Sequence, residues 1–302
     1  MIWYLTKNNK KDYELNRIFK EANLRGEEIK HVEVDNFDLI VTRNDRRSIR
    51  LDNETVELPS VVIPRTGSGT GYYAMSVLRH LEGMHVPVLN TGASIDAAQD
   101  KMYSTQILAQ HNIPVPKTML VKFPVDMSLV EKQIGFPCVI KVLSGSYGKG
   151  VHLVQNPPAL QELMEFVSSL NSPFNILIQE YIGEHPGTDV RVLVIGGKII
   201  GAMKRSSTDG GFKANISRGG LGSVYEVNEE LSDISLTSTK VLGLEIAGVD
   251  LLIDKDGYKV CEVNSAPGFE GFEKFCNTNV AKEFIQYAIF RQNFKLYLPF
   301  KE

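Results

Sequence analysis

The stretch IAGVDLLIDKDGYKVCEVNSAPG, residues 246–268, decides the fold of this chain. Two apolar runs flank the turn residues Asp254-Lys255-Asp256-Gly257, the pattern of a β-hairpin. With the turn centred on Asp256, Asp250 stands opposite Glu262, and Asn264 lies two residues further on the same face. Carboxylates directly opposite one another repel, and bare charge in an apolar strand is costly. A cation between them removes both difficulties. Two carboxylates and an amide are hard oxygen ligands, which points to magnesium or manganese held jointly with phosphate oxygens. An exposed sheet face with solvated acids is the alternative. The neighbours Val249, Leu251, Val260 and Val263 argue for a buried hairpin instead.

A second stretch, FPCVIKVLSGSYGKGV at 136–151, places Lys141 inside a β-branched strand, where an ammonium needs a partner. The glycines that follow (Gly145, Gly148, Gly150) would let backbone N–H groups approach phosphates closely. Gly150 stands where a P-loop carries Ser or Thr, so a strand–glycine loop–strand cover over a nucleotide fits better. An ordinary hairpin with a snorkelling lysine is the competing possibility. VVIPRTGSGTGY at 61–72 mimics a dinucleotide fingerprint, but Tyr72 occupies the third glycine position and the next strand-like run ends in Asn90 rather than an acid. Arg65, at the end of that strand, either holds a substrate carboxylate or forms a surface ion pair. Further basic residues, Arg191, Lys204, Arg205, Lys213 and Arg218, gather in the hairpin 189–205 and the loop after it, with Asn215 among them. They are either solvated charges or, beside a triphosphate, groups that stabilise transferring charge.

Around these motifs the chain alternates strands and helices. The pattern predicts strands at 2–6, 30–34, 38–42, 60–64 and 86–90 and helices at 12–24 and 71–83, with a turn at Asp52-Asn53. One helix is expected from 94 to 111, others near 126–134, 157–169, 228–242 and 278–290, and a second hairpin turns at Gly196-Gly197. The polar, glycine-rich segment 206–223 reads as one long loop and hence a functional candidate. The organisation expected is α/β: a small N-terminal domain (1–92), a glycine-loop subdomain (93–176) and a C-terminal subdomain with the metal site (177–302).

Composition excludes several functions. The 302 residues carry a formal net charge of -3, which argues against a bulk electrostatic grip on nucleic acid. Cys138, Cys261 and Cys276 match no zinc spacing and are read as reduced thiols of a cytosolic, cytoplasmic protein. The opening MIWYLTKNNKKDYE is too short an apolar run for a signal peptide, and no run is long enough for a bilayer span.

Together Lys141 with its glycine loop, QEYI at 179–182, DVRVLV at 189–194, FKANISRGG at 212–220 and GVD…CEVNSAPGFEGFEK at 248–274 resemble the ATP-grasp ligases, and among them the RimK-type glutamate ligases. VIPRTG at 62–67 and QDKMYSTQILAQHNIPVP at 99–116 extend the resemblance over nearly the whole chain. IWYLT, STDG at 207–210 and CNTNVA at 276–281 are also similar to the RimK-like N-acetylaspartylglutamate synthases. Ser206 follows Arg205 where the RimK type has a second arginine, and Lys213 replaces an arginine.

The resemblance implies an ATP-grasp fold clasping ATP, with Lys101 and Lys141 on its phosphates, Glu180 and Tyr181 at adenine and Asp189 toward the ribose. It implies that Asp250, Glu262 and Asn264 hold magnesium or manganese. Arg205 and Asn215 would sit at the reacting phosphate, with Lys213 also on the nucleotide, and Lys141 and Arg205 would be catalytic. Arg65, Arg191 and Arg218 are the candidates for substrate carboxylates. The implied reaction joins L-glutamate to an acidic peptide or protein C-terminus through an acyl phosphate, with 144–150 and 206–223 as lids, in a homo-oligomer. A small-molecule glutamate ligase, or a nucleotide-binding regulatory module without turnover, are the alternatives.

Overall fold

The computed structural model describes residues 1–7, 12–41, 49–67, 70–143, 150–170, 175–208, 211 and 220–293. The glycine loop 144–149 and the residues Lys213, Asn215 and Arg218 lie outside that set.

IWYLT is apolar almost throughout and forms β1 (Ile2–Thr6), buried along its length. Such a strand needs cover on both faces, as in a parallel sheet. It lies between β2 (Ile29–Glu33) and β6 (Val61–Pro64), parallel to both. The helix α1 (Tyr13–Leu24) starts where the Asp12 carboxylate accepts from the Leu15 N–H, and it buries Leu15, Ile18 and Ala22. A small antiparallel sheet follows: β3 (Phe37–Leu39), β4 (Ile49–Leu51) and β5 (Glu54–Thr55). Asp52 and Asn53 both take positive φ between β4 and β5, the conformation a two-residue hairpin turn requires. The helix α2 (Tyr72–Gly83) completes this unit. The strand expected at 86–90 is reduced to one parallel bridge, Val62 to Val88. Pro87 has no N–H to donate, and Thr91 caps the next helix at once.

The helix expected over 94–111 is two helices, α3 (Gly92–Gln99) and α4 (Lys101–Gln110). Asp100 breaks it: its backbone is extended and its carboxylate accepts from the N–H groups of Met102 and Tyr103. An aspartate competes for backbone donors and so favours a cap over a helix interior.

The next sheet is antiparallel: β7 (Thr118–Leu120), β8 (Cys138–Val142), β9 (Val151–Val154) and β10 (Ile176–Glu180), in the order β7-β10-β8-β9. The helices α5 (Met127–Gln133) and α6 (Pro157–Ser169) bury Val130, Leu160 and Met164 against its Ile140 and Ile178. The last sheet holds β11 (Thr188–Ile195), β12 (Lys198–Ser206), β13 (Leu221–Val224), β14 (Ile246–Asp254) and β15 (Gly257–Asn264), ordered β13-β12-β11-β14-β15. The segment 206–223 is thus not wholly loop, because β12 and β13 claim its two ends. The helix α7 (Glu229–Val241) packs on one face of this sheet. On the other lie α8 (Glu270–Cys276), which was not expected, and α9 (Val280–Asn293), together with β1 and α1.

The N-terminal unit grips the segment that leaves β15. Asn90, 1% exposed, donates to the carbonyls of Ile246 and Ser265 (2.7 Å each) and accepts from the N–H groups of Glu245 and Ile246. All of its polar capacity is used at the two ends of the β14–β15 hairpin. Arg65 donates to the Pro267 carbonyl, Glu14 accepts from the Phe269 N–H, and Glu273 accepts from Tyr13 and Arg17.

Candidate active site

The β14–β15 hairpin turns through Lys255 and Asp256 alone, with Asp254 paired to Gly257 and Leu251 to Val260. Continued without interruption, this register would set Asp250 against Cys261 and turn Glu262 to the other face. A bulge at Cys261 intervenes, so Asp250 faces Glu262 and Gly248 faces Asn264. The acids therefore meet as expected from the sequence, but the turn centre lies half a residue earlier and the bulge restores the alignment.

The next two strands add charge to the same face. Arg191 on β11 is the partner of Asp250, and Asp189 on β11 is the partner of Arg205 on β12. Arg191 grips Asp250 with two bonds of 2.6 Å, from Nε to Oδ1 and from Nη2 to Oδ2. Arg205 grips Asp189 likewise, at 2.6 and 2.7 Å, and its Nη2 also reaches Asp250 Oδ2 at 3.1 Å. Asn264 Nδ2 donates to Asp250 Oδ2 at 3.3 Å. Burial alone would push the Asp250 carboxyl up, but the Arg191 and Arg205 guanidinium groups override it and hold the carboxyl at about 2. The same burial disfavours charge on Arg205, whose two carboxylates more than compensate and raise it above its ordinary value. Glu262 differs: its side chain is 42% exposed, and Lys101 Nζ stands 3.6 Å from Oε1.

Lys141 on β8 projects from the four-stranded sheet, and its Nζ lies 3.5 Å from Cys261 Sγ on β15. The bulge cysteine is thus where the two sheets meet, with Lys101 beside Glu262 at the same edge. Glu180 at the end of β10 accepts from the Lys117 N–H and from Lys259 Nζ, while Tyr181 after it is half-buried. Lys259 also reaches Asp254 at 3.0 Å. Arg65 lies apart from the ladder, over the Phe284 ring, and among the described residues its buried Nη1 meets no hydrogen-bond partner.

Of the residues singled out from sequence, Asp189, Arg191, Arg205, Asp250 and Asn264 form one bonded ladder, with Lys101, Lys141 and Glu262 beside it. Glu180 ends β10 and Tyr181 opens its connection to β11, and Arg65 belongs to the clamp on Pro267. Asn90, Lys259 and Cys261 were not picked out. Lys259 alternates with buried Tyr258 and Val260 and so takes the opposite face of β15, where it meets Glu180 and Asp254. Cys261 carried no signal, because nothing in a strand's composition announces a bulge.

The chain matches the model of the RimK-like ATP-grasp domain over residues 98–288 and that of the RimK PreATP-grasp domain over 1–95. It is 39% identical to the probable alpha-L-glutamate ligase 1 of Shewanella frigidimarina over 280 residues, 92% of each chain. It is 37% identical to the probable alpha-L-glutamate ligase of Methanococcoides burtonii, over 94% of this chain and 93% of that one. Among solved structures it resembles the ATP-grasp ligase PsnB in complex with a phosphomimetic variant of a minimal precursor, magnesium and ADP. The TM-score is 0.74 at 19% identity, covering 97% of this chain and 98% of that one.

Proposed function

The chain belongs to the RimK-like ATP-grasp family of ATP-dependent, ADP-forming carboxylate–amine ligases, and from that premise we propose that it joins L-glutamate to the carboxylate of an acidic peptide or protein tail. The observation that carries this reading is the meeting of Lys141 on one sheet with the arginine–carboxylate ladder on the next, joined at Cys261. A lysine on one wall and guanidinium groups preorganised by carboxylates on the other suit a triphosphate held between them. The names of the relatives support glutamate as donor, and the precursor peptide PsnA2 in another PsnB complex supports a peptide acceptor.

In the proposed reaction an oxygen of the acceptor carboxylate attacks the γ-phosphorus as the bond to ADP breaks, leaving an acyl phosphate. The glutamate amine attacks the acyl carbon, phosphate leaves, and the nitrogen gives up a proton. Lys101 and Lys141 would neutralise phosphate charge. Arg205, fixed by Asp189 and Asp250, would meet developing charge without reorganising. Glu180, Tyr181 and Asp189 would hold the nucleoside, Arg65 and Arg191 the substrate carboxylates. The donor chemistry of Asp250, Glu262 and Asn264 fits a hard divalent cation such as magnesium, which when bound would neutralise phosphate oxygens.

The test incubates the protein with ATP, magnesium, a peptide ending in glutamate or a free small acid, and single amino acids, followed by mass spectrometry. Addition of glutamate to the peptide, with alanine and glutamine rejected, is the expected result. A site with a buried arginine discriminates against ligands that leave it unpaired. Equal use of alanine and glutamate, or an exclusive preference for uncharged acceptors, would overturn the proposal.

A further inference from the structure

Asp250 is crowded with donors, and its Oδ2 has no acceptor capacity left. A carboxylate offers about four lone-pair sites. Here Oδ1 accepts from Arg191 Nε, and Oδ2 accepts from Arg191 Nη2, Arg205 Nη2 and Asn264 Nδ2. A divalent cation at this carboxylate would also stand close to two guanidinium groups, and like charges at such range repel. A cation that shares Oδ2 therefore has to displace one of these donors.

The two arginines are not equally free to go. Arg205 has a side chain 4% exposed and is held by Asp189 through two bonds, so its departure would strand a second carboxylate. Arg191 is 17% exposed, and among the described residues the two bonds of its guanidinium both end on Asp250. Once released, its planar fork is suited to a different carboxylate.

We propose that Arg191 is an exchangeable counter-ion, masking Asp250 in the metal-free protein and becoming a receptor for a substrate carboxylate only after the metal–nucleotide displaces it. Binding is then ordered, metal–nucleotide before carboxylate. The Arg191–Asp250 pair covers a metal ligand and a carboxylate receptor with each other. The coupling is reciprocal, so a carboxylate ligand that captures Arg191 also tightens the cation. The identity of that carboxylate rests on the glutamate-ligase reading; the exchange does not.

Two measurements test this. The first titrates manganese into the nucleotide-free protein, following the free ion by electron paramagnetic resonance. Arg191→Met, with its fold checked by thermal unfolding, is expected to bind manganese about tenfold or more tightly than the wild type, within the usual range of such couplings. The second uses the wild type alone, so it does not depend on the variant folding. Glutamate and a glutamate-terminated peptide are titrated calorimetrically with and without magnesium and a non-hydrolysable ATP analogue. Binding only in the presence of the metal–nucleotide is expected. Equal or weaker manganese affinity in Arg191→Met, or carboxylate binding indifferent to the metal–nucleotide, overturns the exchange. If another carboxylate shows the metal dependence while glutamate and the peptide do not, the exchange stands and the glutamate reading falls.

Discussion

Asp250 and Glu262 stand directly opposite each other, yet they occupy different surroundings. Asp250 is buried under two guanidinium groups and an amide, whereas Glu262 is half-exposed with a lysine 3.6 Å away. The difference comes from the strands next door. β14 is an inner strand flanked by β11, which brings Arg191 and, through β12, Arg205 within reach. Among the described residues β15 is the last strand of its sheet and has no such neighbour. A carboxylate in the sheet interior must be paired to be tolerated, and its partners become part of the fold. One on the edge strand is left available for a ligand. The same chemical group is tied to arginines at one strand and left half-exposed at the next.

That contrast can be broken or sharpened by substitution. The largest effect is expected from Arg205→Met, which strands Asp189 and weakens the hold on Asp250 together. Removing one partner from a buried pair typically costs about 3–5 kcal/mol. Urea denaturation would register it, and turnover should fall with it. A variant as stable as the wild type would show that the ladder is dispensable to the fold.

A smaller effect follows from acid. The Asp250 carboxyl is held at about 2, below its ordinary 3.8, so its contribution is complete above about pH 4 and is lost as pH falls toward 2. The stability gap between the wild type and Asp250→Asn should narrow over that window by on the order of 2 kcal/mol, from the linkage value of about 1.4 kcal/mol per unit. Urea midpoints at pH 6, 4 and 2.5 would reveal it, and a pH-independent gap would count against a charged, paired Asp250.

The smallest stability effect is expected at Glu262. An exposed ion pair is worth about 0–1 kcal/mol, so Glu262→Gln should unfold nearly like the wild type. Its manganese affinity should nevertheless drop. Loss of stability without loss of metal affinity would invert the roles assigned to the two acids.

Much of this was legible in the sequence, for identifiable reasons. The hairpin 246–264 announced itself through two apolar runs and a short polar turn, and the acids on it stood out against Val249, Leu251, Val260 and Val263. The register was reached through a turn centred half a residue late, and only the Cys261 bulge makes the two agree. The break at Asp100 could have been read from the helix-capping preference of aspartate, which the apolar periodicity around it obscured. Cation partners were harder. Arg191 read as a surplus cation for a substrate and Arg205 as a group for the reacting phosphate, but strand order decides whom they meet, and composition does not encode that β11 lies beside β14. Asn90 was likewise illegible as a clamp, because its partners, Glu245, Ile246 and Ser265, are distant in the chain.

The chemistry itself is tested most directly by isotope transfer. A peptide whose acceptor carboxylate is labelled with oxygen-18 is incubated with ATP, magnesium and glutamate, and the released phosphate is analysed by mass spectrometry. If the carboxylate is activated by attack on the γ-phosphate, phosphate released in step with ligated product carries one labelled oxygen from the acceptor. Product formed with unlabelled phosphate would contradict an acyl phosphate and, with it, the function proposed for this site.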